Sequence, residues 1–195
     1  SIHPLNYALG LAAAAEAAGA RIFEQTPALE VDPEGVRKRI VTKHGRVRAS
    51  HVVLAGNVHL AELAPRLART LVPVHTYVVT SAPAGEALRE AIRFPSAVSD
   101  TDSADNHYRI VDGDRLIWSG RSTIWRGKSK RYVETLRGDI AHAYPGLRDI
   151  KIEYAWTGTL GKTVHGMPQI GEISPGFWLL SGFGSHGLNT SAMGG

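Results

Sequence analysis

An apolar stretch of strand length, Phe177–Ser181, runs directly into Gly182-Phe183-Gly184-Ser185-His186-Gly187. This G-x-G-x-x-G pattern between a strand and a helix constrains the chain more than any other feature. Three glycines in so short a span permit a tight turn through backbone conformations closed to other residues. Taken literally it is a dinucleotide fingerprint, yet residues 188–195 leave no room for the second strand and acidic residue that complete such a unit. Glycine supplies 21 of the 195 residues, so the pattern alone also fits a plain strand–helix turn. The other reading uses the same glycines to bring bare backbone amides against an anion. The start of the following helix adds free N–H groups and the positive end of its dipole.

The remaining pattern divides the chain. Leu5, Leu9, Ala13 and Ala17 recur at helical spacing before a stop at Gly19, and Arg21-Ile22-Phe23 predicts a strand. Residues 36–42 alternate apolar and basic positions, turn at His44-Gly45 and return through Val47, a hairpin with one wet face. Val52-Val53-Leu54-Ala55-Gly56 is apolar at every position and predicts a strand buried on both faces of a parallel sheet. A short helix is expected over 60–67. From there the style becomes antiparallel: a β-rich run over 72–80, a helix over 85–92, and a hairpin around Asp112-Gly113-Asp114. A helix carrying Tyr132, Leu136, Ile140 and Ala143 ends at Pro145-Gly146, and a strand covers 152–157. The expected fold class is α/β with an inserted antiparallel α+β module, the flanks over 1–69 and 161–195 and the insert over 70–160.

Composition removes several function classes. Zero cysteines exclude disulfides, thiolate metal sites, iron–sulfur ligation and cysteinyl-linked cofactors, and fit a reducing cytoplasm, the expected compartment. No apolar run reaches the ~18 residues a membrane span requires. The net charge of +4 comes from scattered residues, densest at Arg37-Lys38-Arg39 and over 126–131, as on solvated faces, so no nucleic-acid partner is expected. The nine histidines form no H-E-x-x-H or H-x-H cluster, and no metal site is expected.

Adding the neighbours widens the match. Trp156-Thr157-Gly158, Met167-Pro168-Gln169-Ile170-Gly171, Pro175-Gly176-Phe177-Trp178 and the glycine turn through Leu188 resemble, in this order, the closing region of the D-amino-acid-oxidase-like FAD-dependent oxidoreductases. Ser1-Ile2-His3-Pro4 with its helix, Ala18-Gly19-Ala20-Arg21-Ile22, Glu30-Val31, Val52–Gly56 and Val72-Pro73-Val74 resemble earlier parts of the same family, nearest the γ-glutamylputrescine oxidase-like amine oxidases. The resemblance implies a partial FAD-binding fold lacking the family's N-terminal G-x-G-x-x-G loop. It therefore predicts that this chain alone binds FAD weakly or not at all.

It also implies roles. Val31, Ala55, Gly56, Gly182, Gly184, Ser185, His186, Gly187 and Leu188 would contact non-covalently bound FAD, and residues 70–160 would bind a small amine. Amino-acid-oxidising members carry an arginine two residues after W-x-G to grip the substrate carboxylate; here that position is Leu160. An apolar residue cannot pair a buried carboxylate, so an amine or N-substituted substrate is favoured. Arg109 or Arg121 is the replacement cation, Arg109 being the better placed, or else a surface strand arginine. Tyr77, Tyr108 and Trp156 line the substrate pocket or are plain core. Lys162 and His165 are the catalytic candidates, a cation near the flavin favouring O2 reduction electrostatically. His186 either faces the flavin edge or is an exposed turn residue. The implied reaction is hydride transfer from the C–H beside nitrogen to the flavin, with O2 as acceptor. Alternatives are a dehydrogenase with another electron acceptor and a non-catalytic basic binding module.

Overall fold

The computed structural model describes residues 2–94, 96–101, 106–127 and 129–195. Along the chain lie α1 (Pro4–Ala17), β1 (Ala28–Asp32), β2 (Lys38–Thr42), β3 (Gly45–Ala49), β4 (Val52–Leu54), α2 (Pro65–Ala68) and β5 (Leu71–Ser81). They are followed by α3 (Gly85–Ala91), β6 (Val98–Ser99), β7 (His107–Val111), β8 (Arg115–Thr123), α4 (Ser129–Ala143), β9 (Ile152–Thr163), β10 (Gln169–Ser174), β11 (Phe177–Ser181) and α5 (Gly187–Gly194). The chain separates into two compact units, residues 73–160 and residues 2–72 with 161–195.

The unit over 73–160 is built on a sheet of order β6-β7-β8-β5-β9, β5, β8 and β7 running antiparallel. Strand alternation sends Tyr77 and Val79 of β5 and Leu116 and Trp118 of β8 to one face. There they are buried with Leu88 of α3, Leu136 and Ile140 of α4, and Leu147 and Ile150 beyond it. Leu88, Leu136 and Ile140 have essentially no exposure. Burying each such side chain stabilises the fold by about 1.5–3 kcal/mol. The stripe Tyr132, Leu136, Ile140 is the face that α4 turns to this core, and Pro145 opens the short 3-10 turn that follows it. The β7–β8 hairpin turns where expected: Asp112 and Gly113 take φ of 54° and 79°, the left-handed values that Asp-Gly tolerates. Within the basic run over 126–131, Lys128 and the side chain of Lys130 lie outside the described residues.

The other unit holds two small sheets. One is β1-β2-β3, all antiparallel; in the other, order β10-β11-β4, β10 and β11 are antiparallel while β11 and β4 are parallel. Val52, Leu54, Phe177 and Leu179 face one way and are buried with Leu60, backed by Val31, Ile40, Ala49, Leu63, Ala64 and Leu67.

Four expectations change in this unit. Burial of 52–56 on both faces gives way to one: Val52 and Leu54 are 7% and 6% exposed, but Val53 between them is 55% exposed. The opposite face of that sheet carries Ile170 and Trp178, also open, and Gly194 of α5 lies beside Ile170 and Leu180 there. Arg21–Phe23 forms no strand, since a strand needs a pairing neighbour and none stands beside it among the described residues. The helix over 60–67 splits into a 3-10 turn (Asn57–Leu60) and α2, because Pro65 cannot sit inside a helix and takes its first position instead. The hairpin between β2 and β3 turns at Lys43-His44, one residue earlier than predicted, with Thr42 paired to Gly45. Gly19 does end α1, at φ 94°, but α1 has no buried residue.

Among the described residues no helix is long and apolar enough to cross a membrane.

Candidate functional site

Parallel pairing fixes the geometry of the glycine turn. With Phe177 opposite Val52 and Leu179 opposite Leu54, β11 and β4 end at the same edge of their sheet. One exits into Ser181-Gly182 and the other into Ala55-Gly56-Asn57. Ligands of α/β sheets bind in the crevice beyond such carboxyl ends. The two exits touch: the Gly182 amide donates to Asn57 Oδ1 at 3.4 Å.

The glycines of the bend do two different jobs. Gly182 has φ 69°, and a Cβ there would stand 2.6 Å from Thr163 Cγ2 and 3.1 Å from Leu71 Cδ2. It is required by packing. Gly184 has φ 59°, yet a Cβ there would meet nothing nearer than Lys162 Cγ at 3.9 Å. Its flank is open, and side chains are kept from it by the backbone conformation alone. After Gly184 the chain makes a 3-10 turn (Gly184–His186) and enters α5, and no side chain caps either start. The first amides of a helix have no partner within it, and those the 3-10 turn does not use suit an anion. Ser185, His186 and Leu188 are exposed; His186 lies beside the Ser185 hydroxyl and takes the Thr190 hydroxyl on its carbonyl.

Lys162 is brought to this place. Its backbone bridges Phe183 inside the bend, and its stem runs past Gly184. His165 is not held the same way. It sits exposed in the β9–β10 turn, where its Nδ1 accepts from the Met167 amide while Thr163 donates to the Met167 carbonyl. Val31 is half-buried in the small core, Gly56 half-buried and Ala55 exposed at the end of β4. Ser181, next to the bend, has a buried hydroxyl without a hydrogen-bond partner.

In the unit over 73–160, Tyr77 is 2% exposed. Its hydroxyl donates to Thr123, whose own hydroxyl is given to the Trp125 carbonyl, and accepts from the Gly127 amide. Its ring stacks on Tyr132. Tyr77 thus anchors the segment leaving β8. Tyr108 stacks on Trp118, shares a hydrogen bond with Tyr144, and has its pKa pushed up to about 12 by burial and that bond. Trp156, 46% exposed, stands beside Tyr77 and Tyr132 across a cavity of about 10 Å³, roughly the limit for one water. Nothing larger fits there.

Of the two candidate arginines, Arg121 is committed. Its guanidinium grips Asp139 of α4 at 2.9 and 2.6 Å, which holds its pKa above the ordinary value. Arg109 pairs with Ile117, whereas its neighbour Tyr108 pairs with Trp118 on the helix-covered face. Alternation places Arg109 on the opposite face of the sheet.

Sequence reasoning missed Asn57 and Ser181. A polar residue directly behind an apolar strand and a glycine was the available sign for Asn57; the residue takes φ 48°. Ser181 looked like an ordinary strand residue.

The residues at the sheet edge fit a flavin by their donor chemistry, because open amides and a lysine suit a group that gains negative charge on reduction. Among the described residues no histidine, aspartate or glutamate cluster could hold a metal.

Comparison with known proteins agrees. The family described as FAD dependent oxidoreductase (DAO) matches residues 1–195. Gamma-glutamylputrescine oxidoreductase of Escherichia coli is 31% identical over all of this chain and 46% of its own length. Probable oxidoreductase OrdL of Haemophilus influenzae is 28% identical over all of this chain and 45% of its own. The chain thus spans about half the length of the curated relatives it matches. Among solved structures, glycine oxidase from Geobacillus kaustophilus superposes with a TM-score of 0.80 at 25% identity, covering 95% of this chain and 50% of that one. L-proline dehydrogenase from P. horikoshii superposes with a TM-score of 0.79 at 19% identity, covering 95% of this chain and 51% of that one, a likeness of fold. The α/β fold, the glycine turn and a match over its whole length place this chain in the FAD dependent oxidoreductase family.

Proposed function

We propose that this chain contributes the cofactor-closing turn and the substrate-binding domain of an FAD-dependent oxidoreductase that oxidises the C–N bond of an amine or N-substituted amino compound. The observation carrying this reading is Gly184: a left-handed backbone with open space on its flank, at the edge where β4 and β11 both end. In this reading residues 1–69 and 161–195 hold FAD and residues 70–160 bind the substrate. Bound FAD would supply the acceptor for hydride from the carbon beside the substrate nitrogen, with O2 as the final oxidant.

The chain's own residues supply placement and charge. Amides from Gly184 to Leu188 stabilise negative charge on the cofactor edge, as preorganised donors do where charge develops. Gly182 holds the bend in place; Ala55, Gly56 and Val31 contact the cofactor from the neighbouring strands. Ser185 and His186 stand exposed beside these amides. Lys162 brings a positive charge to the same bend and favours reduction of O2 electrostatically. Of the candidate catalytic pair it carries the role, since His165 is bound into its turn. Arg109, on the sheet face away from the helices, pairs an anionic group of the substrate at a distance from the reacting amine, a part that Leu160 cannot play. Tyr108 packs on the opposite, helix-covered face, Trp156 borders the small cavity beside Tyr77, and Tyr77 keeps the segment after β8 in position. The amine substrate of the Escherichia coli relative named above points the same way.

The test uses the intact flavoprotein. Flavin absorption and peroxide release on adding amines are expected. Arg109→Ala should raise KM roughly tenfold or more for an amine bearing a carboxylate, with kcat changed far less. A colourless protein would refute the assignment. Dye reduction without peroxide would replace O2 by another acceptor.

A further inference from the structure

Asn57 occupies a place that neither general packing nor strand geometry requires. It follows Gly56 at the end of β4 and adopts φ 48°, a left-handed conformation asparagine tolerates better than most residues. The conformation turns its carboxamide away from β4 and across to the other chain exit. Oδ1 accepts from the Gly182 amide at 3.4 Å. The same oxygen fills the space beside Gly161 near the end of β9, so that a Cβ on Gly161 would collide with it. Gly161 is glycine without a left-handed φ, and this close approach gives a reason. One side chain therefore touches two segments that flank the bend: Gly182 on β11's exit and Gly161 on the strand carrying Lys162.

We infer that Asn57 is a positioning residue for the cofactor site, a clasp that holds the glycine bend in register with the exit of β4 and with β9. Its carboxamide oxygen takes up the Gly182 amide. Without the clasp, Gly182 loses its acceptor, and the bend is held by the Lys162–Phe183 bridge and by packing on Thr163 and Leu71. Sub-ångström placement of donors decides their electrostatic value, so a small shift in the bend changes how tightly it holds charge.

The inference rests on the flavin reading above, and a double-mutant cycle in the intact flavoprotein separates the two. Asn57→Gly keeps the left-handed backbone and removes the acceptor. It should weaken FAD binding about tenfold, the scale of one lost hydrogen bond to a buried group, and shift the visible flavin spectrum. Gly161→Ala alone should do the same by pushing the carboxamide aside. Combining them should cost little more than Asn57→Gly alone, because the carboxamide is then gone and only the flexible end of Leu71, 3.2 Å from the added Cβ, has to give. FAD affinity is read by fluorescence titration of apoprotein, and thermal melting of the apoprotein shows whether each variant folds. Additive losses, or unchanged affinity and spectrum in Asn57→Gly, would overturn the clasp while leaving the flavin assignment standing. Wild-type protein that takes up no FAD would remove the assignment itself. If a variant fails to fold, Asn57→Asp retains both the left-handed conformation and the acceptor and should fold; its failure as well would show a structural role only.

Discussion

The two units handle apolar sequence in opposite ways. Over 73–160, each apolar face of the central strands is met by α3 or α4, and Leu88, Leu136, Val79 and Trp118 end almost fully buried. In the other unit, sheet β10-β11-β4 is covered on one face and open on the other, where Val53, Ile170 and Trp178 are 55%, 49% and 36% exposed. Helix α1 shows the same thing more sharply, with Leu5 and Leu9 about as exposed as its polar residues. An apolar pattern therefore predicts an element equally well in both units. It predicts burial only where a second layer arrives.

The strongest way to break this contrast is to cut into each surface. Leu136→Ala should lower the stability of its unit by roughly 2–5 kcal/mol, whereas Val53→Ala should stay within about 0.5 kcal/mol, both read by urea unfolding of this chain. Equal losses would mean that the open face is covered after all. A second contrast uses glycine. Gly182→Ala places a Cβ at a left-handed position against Thr163 and should cost about 1–3 kcal/mol. Gly146→Ala, with nothing within 4 Å and no left-handed φ, should be nearly silent by the same melting experiment.

A smaller effect comes from the ion pair inside the closed unit. Asp139→Asn removes the bidentate partner of Arg121, whose side chain is 45% exposed, so the loss should be about 0.5–1 kcal/mol and shrink with added salt. A larger, salt-independent loss would mean that the left-handed φ of 57° at Arg121 depends on the pair. The gentlest test is titration of Tyr108. Its folded-state pKa is about 12, above the ordinary tyrosine value. A raised pKa gives stability that is complete below the unfolded value near 10 and is lost as pH climbs towards 12. Absorbance near the tyrosinate band should show one residue ionising late, and Tyr144→Phe should bring it earlier. Titration at the ordinary value would show that the core around Trp118 is not closed.

Much of the site was legible from local chemistry. Asp112-Gly113 signalled a turn, Pro145 the end of α4, and Gly182 and Gly184 a tight bend, because each follows from what one residue's backbone can do. The parallel partner of β4 was anticipated from its apolar run, but not its one-sided burial, since Val52 and Val53 carry identical side chains and differ only in which face they occupy. Arg109 was preferred to Arg121 on local grounds, but only the fold showed Asp139 claiming Arg121.

By itself, the sequence settled the α/β class with its antiparallel insert and the glycine bend, consequences of periodicity and of glycine's freedom at positive φ. The tertiary structure alone decided that Asn57 meets Gly182, that Lys162 lies against Phe183 while His165 is absorbed into a turn, and that Ser181 buries a hydroxyl unpaired. Those contacts join residues far apart along the chain. A sequence pattern records what each residue prefers locally, whereas which distant residue fills its unsatisfied bond or its empty space is set only when the strands pair.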